Sequence, residues 1–317
     1  MRKTRIFALL LVLCLLLTGC GSTQTPLERT AEYLKTAVPE PDFGSLDGDW
    51  IVFGLARAGA DLSDDYFERY YSAVEAAVQA ADGKLDENRY TEYSRLILAL
   101  TAIGRDPRNV GGYDLLLPLA DLKKTTAQGV NGAAFALLAL DCGGDEIPLD
   151  PEAAVQATRD GYVDVILAQQ NPDGGWSLGG GASDPDLTAM ALQALAGYRS
   201  RTDVSASADA GLSCLAQMQQ EDGAFLSWGA ESSESVSQVL VALTALGLSP
   251  DDARFVKNGQ TLEEVLLRFA QNDGSFVHTQ GDGGNLLATT QAFYALAAVQ
   301  RARDGKTSLY DMSDVAP

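Results

Sequence analysis

Two aspartates, Asp184 and Asp186, close the glycine-rich part of GGGASDPDLTAMALQALAGY, residues 179–198, and lead directly into an apolar helix. Paired carboxyl groups can divide their labour: one stays ionised while its neighbour, in a dry pocket, stays protonated and delivers its proton to a substrate. The same residues also spell a helix start. Asp184 is a favourable N-cap, Pro185 suits the first helical position, and a carboxylate at Asp186 gains from the helix dipole. That dipole lowers a carboxyl pKa and so works against acid catalysis. Capping accounts for Asp184, and at Asp186 capping or hydrogen bonding to a ligand is favoured over chemistry, although Asp186 is the acid that the helix start does not demand.

Other chemistries find little support. The chain has one histidine, His278, and beyond residue 20 two cysteines, Cys142 and Cys214, both within or at the end of apolar helical patterns. No spacing suggests a metal site, and neither metal nor cofactor is expected. A Cys142–Cys214 disulfide is possible in an oxidising compartment, but two buried free thiols are the favoured reading. With 43 acidic against 23 basic residues, net −20, a nucleic-acid partner is not expected.

Residues 1–19 read as a secretory signal: Arg2, Lys3 and Arg5, an unbroken apolar run from Ile6 to Leu17, then small residues. Leu17-Thr18-Gly19-Cys20 looks like a bacterial lipobox, which implies a lipid on Cys20 and an extracytoplasmic protein anchored to the cell membrane, with residues 20–25 as linker.

The elements that position the two aspartates are legible as a repeat. QNPDGGW from Gln170, QEDGAF from Gln220 and QNDGSF from Gln271 each end one apolar helix and lead, at a nearly constant distance, into another with a core alanine at Ala191, Ala242 or Ala292. Each turn reads as a structural clip. Gly174, Gly223 and Gly274 supply positive φ, Asp173, Asp222 and Asp273 turn hydrogen bonds, the glutamines satisfy loose backbone groups, and Trp176, Phe225 and Phe276 pack back on neighbours. Sibling cap positions are Ser235 and Asn285, which sets Asp186 level with Ser237 and Leu287. The helix core recurs at Ala99, Ala136 and most weakly over 52–59, giving six helices that are apolar nearly all round. Six amphipathic stretches alternate with them, at 26–38, 64–81, 110–122, 152–169, 207–219 and 261–270, each with a charged face. Six inner and six outer helices predict an all-α fold, an (α/α)6 toroid over residues 26–303 followed by a polar tail, 304–317. A linear solenoid of helix pairs is the structural alternative.

These turns resemble the QW-type repeats of the prenyltransferase and squalene cyclase superfamily, and SDPDLTAMALQAL is similar to the acid motif of class II terpene cyclases. In that motif, D-x-D-D followed by T-A, the middle aspartate protonates an alkene. Asp184 and Asp186 match its first two acidic positions, and Leu187 stands at the third. The zinc ligands of protein prenyltransferases and the C-G-E-Q of thioester domains have no counterpart here. Cobalamin carriers use a similar toroid with an additional β domain.

In such a ring the inner-helix N-termini converge at one end, where Trp50, Tyr90, Tyr93, Trp176, Phe225, Trp228, Phe276 and His278 are expected to rim a ligand cavity. At least half of these aromatics are expected to be wedges between helices. An incomplete acid motif on an exported chain leads to the expectation of a non-catalytic, surface-anchored binding module for a small ligand, a glycan or a protein partner. The alternatives are a terpene-cyclase-like isomerase with Asp186 as general acid, and a cobalamin carrier.

Overall fold

Helices that are apolar all round must be enclosed, and a ring of amphipathic helices is the simplest enclosure. A computed structural model describes residues 24–44, 48–63 and 65–316 and shows that arrangement. The inner helices are α2 (Trp50–Ala58), α4 (Thr91–Ala102), α6 (Gly129–Cys142), α8 (Pro185–Leu195), α10 (Ser233–Ala245) and α12 (Leu286–Arg303). The outer ones are α1 (Pro26–Ala37), α3 (Tyr66–Ala80), α5 (Leu122–Thr125), α7 (Arg159–Ala168), α9 (Thr202–Met218) and α11 (Leu262–Leu267). Consecutive inner helices pack side by side, and α12 packs back on α2. This closure decides for the toroid and against the open solenoid. Outer helices lean on the inner helix before them, α7 on α6, α9 on α8 and α11 on α10, while α1 closes the circle on α12.

Where outer helices differ from expectation, the local residues explain it. The third, expected over 110–122, is reduced to a 3-10 turn at Leu117–Ala120 and the single turn of α5. Gly111 and Gly112 adopt positive φ, Val110 and Tyr113 form a bridge, and Pro118 withholds a donor. The fourth starts seven residues after Glu152, at Arg159, because the chain before it is tied to the preceding turn: Asp121 bridges Gln156, and Ala157 N donates to Ala120 O at 2.7 Å.

The three turns superpose in hydrogen bonding. Asn171, Gln220 and Gln271 donate their backbone N–H to Gly175, Ala224 and Ser275 at 2.8, 2.9 and 2.7 Å. The side-chain clip therefore lies one residue earlier than Gln220. Gln170 Nε2 donates to Gly174 O at 2.7 Å and, in the next repeat, Gln219 Nε2 donates to Gly223 O at 3.0 Å. At Gly174, Gly223 and Gly274, φ is 92°, 89° and 93°. Trp176, Phe225 and Phe276 are fully enclosed. Cys142 and Cys214 are buried and unbonded.

The stretch expected as a polar tail is built into the ring. Leu309, Tyr310 and Met312 are buried, Tyr310 stacks on Phe53 with centroids 5.4 Å apart, and Met312 N donates to Cys142 O at 2.9 Å. Two buried arginines strap it down. Arg57 donates to Leu309 O, Ser308 O, Asp311 O and Asp314 Oδ1, and Arg301 to Thr307 O and Asp314 Oδ2, all between 2.5 and 3.0 Å. Asp314 is partly buried, yet the two guanidiniums hold its carboxyl well below the usual range.

Candidate active site

The first turn of α8 is set by its cap. Asp184 accepts from Leu187 N at 3.0 Å, and its own N–H donates to Trp176 O at 2.8 Å, so the turn and the helix start are one unit. The equivalent cap of α12 is Asn285, which accepts from Ala288 N at 3.0 Å. On α10 the cap is Ser232, not Ser235: Ser232 Oγ accepts from Ser235 N at 3.2 Å. Counting from the caps, the partner of Asp186 on the neighbouring helix is Glu234, and on α12 it is Leu287. Two adjacent inner helices thus present an acid at the same level.

Glu234 is nearly buried and well held. Its Oε2 accepts from Ser232 Oγ and Ser233 Oγ, each at 3.2 Å, and lies 2.7 Å from His278 Nδ1. Asp186 differs. Burial pushes its carboxyl up to about 6, the Ser235 hydroxyl partly opposes this, and the charges of Asp184 and Glu234 reinforce it. Neither Asp186 Oδ1 nor Ser235 Oγ has a hydrogen-bond partner of normal geometry. The expected lowering by the helix dipole is therefore reversed, because desolvation outweighs the dipole.

Asp186 opens on a groove of about 600 Å³ floored by the glycine-rich loop and rimmed by Leu178, Leu187, Leu226 and Trp228. Trp228 is fully exposed because Trp228 and Gly229 both take positive φ in the two-residue turn between β1 (Leu226–Ser227) and β2 (Ala230–Glu231). One turn along α8 from Asp186, Met190 lines a smaller axial cavity of about 110 Å³ together with Trp50, Phe135, Gln238, Leu287, Gln291 and Tyr294. Trp50 lies 5.7 Å from Phe135 and 6.1 Å from Tyr294, centroid to centroid, so the axis is walled by aromatic rings.

The residues expected at the rim thus disperse. Trp228 borders the groove and Trp50 the axial cavity, while His278 bonds to Glu234. Trp176, Phe225 and Phe276 are core wedges, with Trp176 Nε1 donating to Ile166 O at 2.7 Å. Tyr90 and Tyr93 face a separate outer groove beside Tyr113, and the Tyr93 hydroxyl accepts from Leu85 N. Glu234 escaped the sequence reading because the cap of α10 was placed one turn late, and the signal for it was the serine pair Ser232-Ser233 directly before an acid. Cys20 lies outside the described residues.

A family model described as the prenyltransferase alpha-alpha toroid domain matches residues 116–309. The chain belongs to this family. Among curated relatives of this toroid is the copalyl diphosphate synthase of Streptomyces cyslabdanicus, 29% identical over 296 residues, which covers 90% of this chain and 52% of that protein. Another is the drimenyl diphosphate synthase of Streptomyces showdoensis, 30% identical over 162 residues, covering 49% of this chain and 29% of that protein. The chain spans about half the length of the first. The solved ent-copalyl diphosphate synthase from Streptomyces platensis shares the fold, with a TM-score of 0.51 and 16% identity over 80% of this chain and 50% of that one. These relatives are terpene cyclases, and they overturn the expectation of a non-catalytic binding module.

Proposed function

We propose that this toroid is a class II terpene-cyclase-like enzyme in which Asp186 is the general acid. The observation that carries the reading is the state of Asp186: a carboxyl pushed up to about 6, with one oxygen unpaired, at the floor of an apolar groove. An alkene is a weak base, so its proton donor must be an acid kept neutral and dry until the substrate displaces water. Asp186 Oδ–H transfers its proton to the CH carbon of the terminal isoprenoid double bond and leaves a tertiary carbocation at its dimethyl carbon. The next double bond closes a ring onto that centre, and a proton lost from the final cation ends the sequence. The rings of Trp50 and Tyr294, which line the axial cavity that Met190 reaches one turn along α8 from Asp186, supply π density that stabilises positive charge.

Glu234, whose Oε2 lies 2.7 Å from His278 Nδ1, adds to the electrostatic field that helps keep the Asp186 proton in place until the alkene arrives. The names of the cyclase relatives support an acyclic prenyl diphosphate as substrate class. We also propose that Cys20 carries the lipid anchor. Incubating the leaderless chain with farnesyl or geranylgeranyl diphosphate and analysing dephosphorylated products by gas chromatography tests the enzyme reading. Cyclic products from the wild type and none from Asp186→Asn support it, and equal product from both removes Asp186 from its role.

A further inference from the structure

The ring has a second opening at the end away from Asp186. Where α6, α8 and α10 finish, a cavity of about 580 Å³ is lined by Gln193, Tyr198, Tyr310, Asp141, Arg159 and Asp311, among others. That size lies within the range of small-molecule sites and far exceeds a single water.

The charged groups at this cavity are already matched to one another. Arg159 Nε donates to Asp141 Oδ1 at 2.7 Å, its Nη2 donates to Leu140 O and Asp145 O at 2.6 Å, and Tyr198 OH donates to Asp141 Oδ2 at 2.7 Å. Asp311 Oδ1 accepts from Ser313 N and Oγ at 3.1 and 2.6 Å. Two neutral groups are unmatched. Gln193, only 3% exposed, donates through Nε2 to Gln238 O and Oε1 at 3.0 Å, while its own Oε1 accepts nothing. Tyr310, 7% exposed, has no hydrogen-bond partner for its hydroxyl among the described residues, and burial alone pushes that phenol up. Native interiors rarely leave an amide oxygen such as that of Gln193 unpaired, and the Tyr310 hydroxyl at the cavity wall is free for a partner outside the chain.

We infer that this cavity binds a neutral, polyhydroxylated small molecule of about monosaccharide size. A hydroxyl both donates and accepts, which fits an amide oxygen and a phenol together. Arg159 and Asp141 neutralise each other and Asp311 is engaged by the Ser313 N–H and hydroxyl, so the two unmatched neutral groups are the open partners for a ligand. The site lies two turns along α8 from Asp186 and does not depend on the proposed catalysis.

Ligand-observed NMR titration of the leaderless chain with glucose, glucosamine and glucuronate tests this. Saturable binding of glucose, tighter than that of either charged analogue, is expected. Tyr310→Phe, which keeps the stack on Phe53, and Gln193→Met should each weaken glucose binding about fivefold, the loss of one hydrogen bond. Asp186→Asn should leave it unchanged. If Gln193→Met does not fold, Tyr310→Phe decides. No saturable glucose binding, tighter binding of a charged analogue, or an unaltered Tyr310→Phe overturns the inference.

Discussion

At the scale of the residue, the decisive contest is between the helix dipole and burial at Asp186. A first-turn carboxylate gains about 0.3–1 kcal/mol from the dipole in exposed helices. The rise from 3.8 to about 6 corresponds to about 3 kcal/mol in the other direction, so desolvation wins. Turnover that needs the protonated acid should be greatest below about pH 6 and fall about tenfold per unit above it, measured as the pH profile of kcat/KM. Stability carries the same signature. The folded state holds this proton more tightly than the unfolded one, so the contribution is complete below about pH 4 and is lost as pH rises through about 6. Asp186→Asn should therefore abolish cyclisation and raise unfolding stability at pH 7.5 by about 1–3 kcal/mol, read from urea denaturation. The residue types made Asp186 legible as an acid in search of a reason. Its raised proton affinity was not legible, since it comes from enclosure by α10 and from Glu234, and sequence spacing does not show which helices are neighbours.

At the scale of the element, the caps and turns were largely readable, because they depend on residues close in sequence. Asp184, Pro185 and Asn285 act as their types predict. The start of α10 was misplaced because Ser232, Ser233 and Ser235 all cap well, and only the ring decides among them. Aromatic roles were harder to read, since a turn tryptophan and a loop tryptophan look alike in one dimension. The structure separates them. Trp176→Ala should cost about 3–5 kcal/mol of stability, whereas Trp228→Ala should change it by less than about 0.5 kcal/mol and act on substrate uptake as a raised KM. Urea denaturation of the two variants, with kinetics for the second, checks both.

At the scale of the whole molecule, the alternation of enclosed and amphipathic helices announced the toroid, and closure of α12 on α2 completes it. The strap over residues 304–316 was hidden because its anchors, Arg57 and Arg301, read as surface charges when only near neighbours are considered. Deleting residues 304–317 removes the buried Leu309, Tyr310 and Met312, uncovers Phe53 and leaves two buried guanidiniums without partners. A loss of at least about 5 kcal/mol is expected, seen as a large fall in the urea midpoint. The first described residues, Gln24 and Thr25, share a groove with Ala58–Asp61 at the C-terminal end of α2, opposite the Asp186 mouth. A lipid on the proposed Cys20 anchor would then hold that end toward the membrane and turn the Asp186 mouth away. Cys20→Ala should move the protein from the membrane to the soluble fraction.

The central claim is that a proton travels from Asp186 to a carbon of the substrate. Exchangeable carboxyl protons are replaced in D2O, so a cyclisation started by Asp186 must place one deuterium on carbon. Incubating the leaderless chain with geranylgeranyl diphosphate in D2O, followed by mass spectrometry of the hydrolysed products, reads this directly. A cyclic product one mass unit heavier than that formed in water, absent with Asp186→Asn, is expected. A cyclic product without deuterium, or no cyclic product from the wild-type chain, would contradict it.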